Sequence, residues 1–301
     1  MSLELLLGRD DATTVLTAWP DRPYTLTLPD DSPIGRMVSA QTIRAFLDAG
    51  CAPADYVNIF HKGEGLHPAR FTVADRVAPS SVELLLNEGC TIQLRELNRW
   101  WPPLSAICQG IQVETGYSCY VTAFLTPPGT QGLDYHWDQY LGIVVQLAGT
   151  KTWELHEPKV DAPYRDHSMS TNLWQDSWVD EWRNAGPDQT VELAAGDVLV
   201  LPRGWVHNPH SRSATETSVH LTFVLKERTP LWVAERLVGS ALNDLAFRAV
   251  IPPANLDLAQ MPKTIDEVRR LLIDYLGRLD PDGLARPVRH AAEHETSHAT
   301  V

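Results

Sequence analysis

The sequence predicts a mainly β protein with flanking helices: a sandwich or barrel core, mixed α/β elements before it and a helical segment after it. Three features lead there. Up to about residue 116, apolar residues recur at helical spacing in short capped stretches. From about 117 the spacing shortens to runs rich in Val, Leu, Thr and aromatics, cut by Gly and Pro turns. After Pro230 the helical period returns.

Residues 39–50, "SAQTIRAFLDAG", read as a helix capped by Ser39, with Ile43, Phe46 and Leu47 on one face and Gly50 at its end. Residues 80–89 read as a second helix, "CTIQLREL" (90–97) as a strand and 104–116 as a further helix. The strand block follows: "YSCYVTAFLTPPG", "YLGIVVQLAG", "KTWELHEP", "TVELAAGDVLVLPRGWVH" and "TSVHLTFVLKE". Gly149-Thr150 has the form of a two-residue hairpin turn, which pairs Ala148 with Lys151 and Gln146 with Trp153. An insert between Pro158 and Thr190 is too long for a hairpin loop. Helices are expected over 231–250 and 264–279, and the last residues, from His290, are polar and expected to fray.

A net charge of -13 excludes a general nucleic-acid binder and is compatible with a basic partner, although acidity also serves solubility. Cys51, Cys90, Cys108 and Cys119 form no C-x-x-C pair and read as reduced thiols. No apolar stretch reaches the ~18 residues of a membrane span, and the start lacks the basic region of a signal sequence, so no membrane partner and a cytoplasmic location are expected.

The chemistry begins at "DYHWDQ". His136 and Asp138 are two apart, and in an extended chain such residues face the same side, so imidazole and carboxylate can reach one ion. His207 follows the Pro-Arg-Gly turn of "GDVLVLPRGWVH". Two His and one carboxylate with open positions match the facial triad of non-haem Fe(II) oxygenases, and zinc uses the same donor set. Lys151 falls on the inward face with Trp153 and Leu155, together with Gln146 and Val144. A lysine there either snorkels past the turn to water or meets an anion. A dicarboxylate that chelates the metal at one end and meets Lys151 at the other satisfies the second option.

"TAFLTPPGTQGLDYHWDQYLGIVVQLAGTKTWELHEP" and "GDVLVLPRGWVHNPHS", with "TSVHLTF", resemble the JmjC-type cupins that include the ribosomal oxygenases. Trp19-Pro20 through Pro23 resembles that family's W-P-x-R-P signature, and "GCTIQLRELNRWWPPL" its following strand segment. The resemblance covers most of the chain. It implies a double-stranded β-helix (jelly-roll) in a catalytic domain over 1–228, with its barrel core over about 90–228, and a helical dimerisation segment over 229–301. It implies Fe(II), 2-oxoglutarate and O2, with succinate and CO2 as co-products of side-chain hydroxylation in a protein or peptide. His136, Asp138 and His207 are then the catalytic metal ligands, and Lys151 meets the distal carboxylate of 2-oxoglutarate. Thr122 and Ser218 are further candidates to touch that co-substrate. Thr122 and Phe124 stand where the family often has Asn and Tyr, and the winged helix of many ribosomal oxygenases is not expected.

The same chemistry on a small molecule or secondary-metabolite peptide, a non-catalytic cupin that binds a ligand, and demethylation of N-methyl lysine are the alternatives. Trp174, Trp178 and Trp182, four apart, form either a wall over the site or a satellite core. Tyr135 and Trp137 read as packing, His210 and His220 as supporting groups, and His290, His294 and His298 as a solvated tail. The apolar faces of the two C-terminal helices lead to the expectation of a homodimer.

Overall fold

The computed structural model describes residues 1–164 and 174–294. The chain divides into two compact units, Met1–Lys226 and Glu227–Val301.

The strands of the first unit are β1 (Tyr24–Thr27), β2 (Val57–His61), β3 (Glu64–Gly65), β4 (Thr72–Val73), β5 (Arg76–Val77), β6 (Thr91–Leu94), β7 (Ser118–Thr126), β8 (Leu141–Ala148), β9 (Lys151–His156), β10 (Gln189–Leu193), β11 (Asp197–Leu201), β12 (Val206–His210) and β13 (Ser218–Lys226). They form an eight-stranded sheet in the order β1-β11-β8-β13-β7-β6-β2-β3, a three-stranded sheet β10-β9-β12 and the small β4-β5 pair. Every ladder is antiparallel. This is the expected jelly-roll arrangement of two facing antiparallel sheets.

Both faces of the large sheet are covered, which explains why its strands read as nearly continuous apolar runs. The outer face carries Val121, Ile143, Val145, Val200, Leu221 and Phe223. Helices at Glu4–Leu7, Ala40–Asp48, Pro79–Asn87 and Pro102–Thr115 bury Leu6, Ile43, Leu47, Val82, Leu85, Leu104 and Ile107 in the same core. The inner face meets the small sheet through Val144, Leu199 and Leu201 on one side and Trp153, Leu155, Val191 and Leu193 on the other. Burying one such side chain stabilises by roughly 1.5–3 kcal/mol, against about 1 kcal/mol net for a hydrogen bond. Side-chain burial therefore sets which way each strand faces. Ser39 caps its helix as expected: its hydroxyl accepts the Thr42 N–H in a reciprocal box.

The expected β8–β9 hairpin does not form. β8 is flanked by β11 and β13, and β9 by β10 and β12, so the Gly149-Thr150 turn carries the chain from one sheet to the other. Ala148 pairs with Val219 rather than Lys151, and Trp153 pairs with Val191 and Pro209 rather than Gln146. The facing was nevertheless legible: Val144, Trp153 and Leu155 share one buried cluster from opposite sheets. Gly149 makes the crossing tight. Its φ is +61°, and a Cβ there would lie 2.7 Å from the Thr217 carbonyl oxygen.

The second unit contains helices at Pro230–Ser240, Met261–Gly277 and Pro281–His294. Thr229 caps the first. That helix stops at Ser240 instead of running to 250, and short 3-10 turns follow. Asp244 explains part of the break: its side chain accepts the Ala246 N–H, which competes with helix continuation. Residues 290–294, expected to fray, belong to the last helix. Ser240 and Tyr275 hydroxyls meet at 2.9 Å, and Phe247 packs edge-on against Tyr275.

Gly149→Ala is expected to cost roughly 1–3 kcal/mol in urea unfolding. Gly129→Ala also has a positive φ but no heavy atom within 4 Å of its Cβ, so it should lose less. Equal losses in the two variants would contradict the close approach to Thr217.

Candidate active site

The His136 segment joins β12 through two main-chain hydrogen bonds, His207 N–H to His136 C=O at 2.8 Å and His136 N–H to His207 C=O at 3.1 Å. The two rings consequently lie side by side, with centroids 4.1 Å apart. The His136 Nδ1 is 2.7 Å from the Asp134 carbonyl oxygen, and the His207 Nδ1 is 3.0 Å from that of Trp205. A carbonyl only accepts, so each Nδ1 carries the proton and each Nε2 keeps a free lone pair. The Asp138 carboxylate lies 3.8 Å from the His207 Nε2, and ligand atoms of His136, Asp138 and His207 all fall within 4.8 Å of one another. The Asp138 main chain is held by the Gly204 N–H at 2.9 Å. Burial, and then His136, push the His207 imidazole down to about 4 against the opposing pull of Asp138. It is therefore neutral at pH 7, the form that binds a metal. His207 is buried, His136 partly buried and Asp138 exposed, so the cluster opens on one side.

Lys151 is buried on the inward face of β9. Its Nζ donates to Thr126 Oγ1 at 2.7 Å, and Thr91 donates to the same hydroxyl at 3.1 Å. Among the described residues no carboxylate pairs with it. Burial alone pushes it down to about 7. Ser218 sits opposite Thr126 across the β13–β7 ladder, and its hydroxyl receives the Gln146 amide at 2.9 Å. Thr122 lies on the same face of β7, opposite Thr222, and is buried but not bonded to Lys151. Trp153 stands between His207 and His220, each 5.6 Å away by ring centroid, and Phe124 stacks on His220 at 4.9 Å. Among the described residues, Gln146 Oε1, Trp153 Nε1 and His220 Nδ1 are buried without a hydrogen-bond partner. Buried polar atoms rarely stay unpaired. These three share the inward side of the two sheets with the buried lysine.

Residues 101–230 match the family model described as the JmjC domain. The chain carries a JmjC domain.

It is 31% identical over 233 residues to the bifunctional lysine-specific demethylase and histidyl-hydroxylase NO66 of Dictyostelium discoideum, covering 72% of this chain and 43% of the relative. It is 29% identical to ribosomal oxygenase 1 of Danio rerio, covering 67% of this chain and 33% of the relative. The chain thus spans under half the length of these curated relatives. A solved structure of Escherichia coli YcfD superposes with a TM-score of 0.58 at 16% identity, over 91% of this chain and 69% of that one. YcfD, a ribosomal oxygenase, in complex with cobalt and 2-oxoglutarate gives 0.56 at 15%, over 92% and 68%. At that identity the likeness is one of fold.

Within the JmjC domain, the insert's tryptophans pack rather than float. Trp182 is buried with Tyr135, Trp137 and Val206, and Trp174 and Trp178 lean on that cluster. Arg183 of the insert helix (Ser177–Ala185) reaches Asp134 at 2.6 Å, which anchors the insert behind His136. His210 contacts Glu154 at 3.4 Å, away from the inward face. His290 and His294 stack at 4.3 Å, and His298 lies outside the described residues. Sequence reasoning placed Trp153 on the inward face and His220 among the supporting groups, but missed Thr126. Thr126 had a signal: it follows Thr122 by four residues, on the same strand face.

The Lys151 shift has a sign. In the unfolded chain the ammonium persists to about 10.5, whereas in the folded, ligand-free protein it deprotonates near 7. Between those values the unfolded chain binds more protons, so Lys151 makes stability rise with pH over that window and fall as pH returns to 7. The difference between wild-type and Lys151→Met urea midpoints should therefore narrow from pH 7 to pH 10, with Lys151→Met the more stable at pH 7. A constant difference would show that Lys151 is not desolvated.

Proposed function

We propose that the chain is an Fe(II)- and 2-oxoglutarate-dependent oxygenase that hydroxylates a side chain of a protein or peptide. The observation that carries this is the pairing of a two-His, one-Asp cluster, whose Nε2 lone pairs are freed by carbonyl contacts, with a buried lysine that no carboxylate among the described residues neutralises. The donor set fits iron, and equally fits zinc in a hydrolase. Lys151 favours the oxygenase, because a zinc hydrolase has no need of a buried cation on the same wall. A dicarboxylate supplies the missing anion.

In this reading His136, Asp138 and His207 hold the metal. Bound iron would supply the oxidation of 2-oxoglutarate by O2 to succinate and CO2, with the second oxygen atom entering a substrate C–H bond. The Asp134 and Trp205 carbonyls keep both imidazoles in the ligating tautomer. Lys151 and the Thr126 hydroxyl receive the distal carboxylate, and the Trp153 indole N–H and the Gln146–Ser218 pair line the same wall. The Val144, Leu155, Leu199 and Leu201 side chains exclude water from the cavity floor. Thr122 borders the site from β7.

A protein substrate is supported by the relatives, whose names describe ribosomal oxygenases and a histidyl-hydroxylase. The net charge of -13 favours a basic one. We assign a homodimer through the C-terminal unit. Leu242, Leu245, Val250, Leu258, Ile265 and Ile273 there are each more than half exposed, and a second copy would bury them.

Wild-type protein supplied with Fe(II), 2-oxoglutarate and a set of Lys/Arg-rich ribosomal peptides should release succinate above the peptide-free rate and add 16 mass units to one peptide. His136→Ala should do neither. Stimulation by free metabolites alone would assign the small-molecule alternative, and retained turnover in His136→Ala would remove the metal assignment. Sedimentation at micromolar concentration should give twice the chain mass; a monomer would refute the dimer.

A further inference from the structure

Among the described residues, two isolated bridges join the His136 segment to β12: Gln131 to His210 and His136 to His207. Between them the segment takes five steps, 131 to 136, while β12 takes three, 210 to 207. Two extra residues therefore bulge just where the spacing of the two histidines must be set. The His136–His207 pair fixes where the two chains meet, but the residues before it have no ladder to hold them.

Side chains fill the gap from the back of the small sheet. Glu154 stands opposite Asn208 in the β9–β12 ladder, on the face away from the cavity. Its Oε2 accepts from Asn208 Nδ2 at 2.6 Å and from the Tyr135 hydroxyl at 3.3 Å. Tyr135 is the chain neighbour of His136, and Asn208 the chain neighbour of His207. One carboxylate oxygen thus grips the residue beside each histidine. The chain of donors is directional. Arg212 donates to Gln131, Gln131 to Asn208 and to the Leu133 carbonyl, and Asn208 to Glu154. The His210 Nδ1 accepts the Arg212 N–H, so its Nε2 carries the proton that faces Glu154 Oε1.

We infer that Glu154 is a positioning residue: it locks the bulged segment to β12 and so sets the separation of His136 and His207, without touching metal or substrate. This rests on the reading of the triad as a metal site. Adjacent residues of an extended chain point to opposite faces, so a clamp on Tyr135 and Asn208 orients the histidines while leaving their Nε2 atoms free.

Co(II) is the probe, read by calorimetric affinity and by its visible d–d spectrum, with thermal midpoints in parallel. Glu154→Ala should weaken Co(II) binding by about ten- to a hundredfold and alter the spectrum. Glu154→Gln keeps an oxygen that can accept from both Asn208 and Tyr135 but turns an NH2 toward the His210 Nε2–H, so it should recover part of the affinity lost in Glu154→Ala. Thr152→Ala, on the same face of β9 but outside the chain of donors, should bind as wild type. If Glu154→Ala does not fold, Tyr135→Phe decides, since it removes only the hydroxyl contact and should weaken binding in the same direction. Wild-type affinity and spectrum in the deciding variant would overturn the role of Glu154 and leave the metal site standing. Wild-type protein that binds no Co(II) would overturn both.

Discussion

The pair of main-chain hydrogen bonds between His136 and His207 is the constraint from which the rest follows. It brings a segment with little regular structure against the end of β12, and places two imidazoles side by side at the open end of a barrel. Each ring is then turned by a carbonyl of its own chain, Asp134 for one and Trp205 for the other. These are local contacts, two residues back in each case, so the tautomers are fixed before any ligand arrives. The Trp205 indole donates in turn to the Asp21 carbonyl at 3.0 Å, which ties the N-terminal W-P-D-R-P stretch to the segment that carries His207.

Charge distribution does the remaining work. The molecule is strongly acidic, yet the inward face of β9 carries a buried cation whose neighbours are hydroxyls, an indole and a neutral imidazole. Burial, then Lys151, lower the His220 imidazole well below its ordinary range, so it adds no charge of its own. A desolvated lysine is costly in the absence of an anion. The same cost becomes affinity when a carboxylate enters, because the interaction forms where water does not screen it. In the proposed reading, stability of the ligand-free protein and binding of the co-substrate thus trade against one another through a single side chain.

Much of this was legible in the sequence, for local reasons. Period-two alternation placed Lys151, Trp153 and Leu155 on one face, and the H-x-D spacing put His136 and Asp138 on one side. What failed was nonlocal. A glycine-first turn looks the same whether it closes a hairpin or crosses between sheets, and only the strands already flanking β8 decide which. Thr126 emerges as the Lys151 partner because two sheets face each other, which no single segment encodes. The Trp174/Trp178/Trp182 spacing allowed a lid or a core; the burial of Trp182 against Tyr135 and Trp137 makes it a core. In the C-terminal unit, a helix that apolar spacing alone would have prolonged stops at Ser240, with Asp244 turning the chain just beyond it, and the polar stretch before Glu295 joined a helix.

The most direct test is an anaerobic titration of Fe(II)-loaded protein with 2-oxoglutarate, following the visible metal-to-ligand charge-transfer absorption. The band should appear in wild type, be absent in His207→Ala, and in Lys151→Met require at least tenfold more 2-oxoglutarate, the loss of one charge-assisted contact of about 1.5–3 kcal/mol. A band that forms equally well without Lys151, or none at all in folded, iron-loaded wild-type protein, would contradict the account.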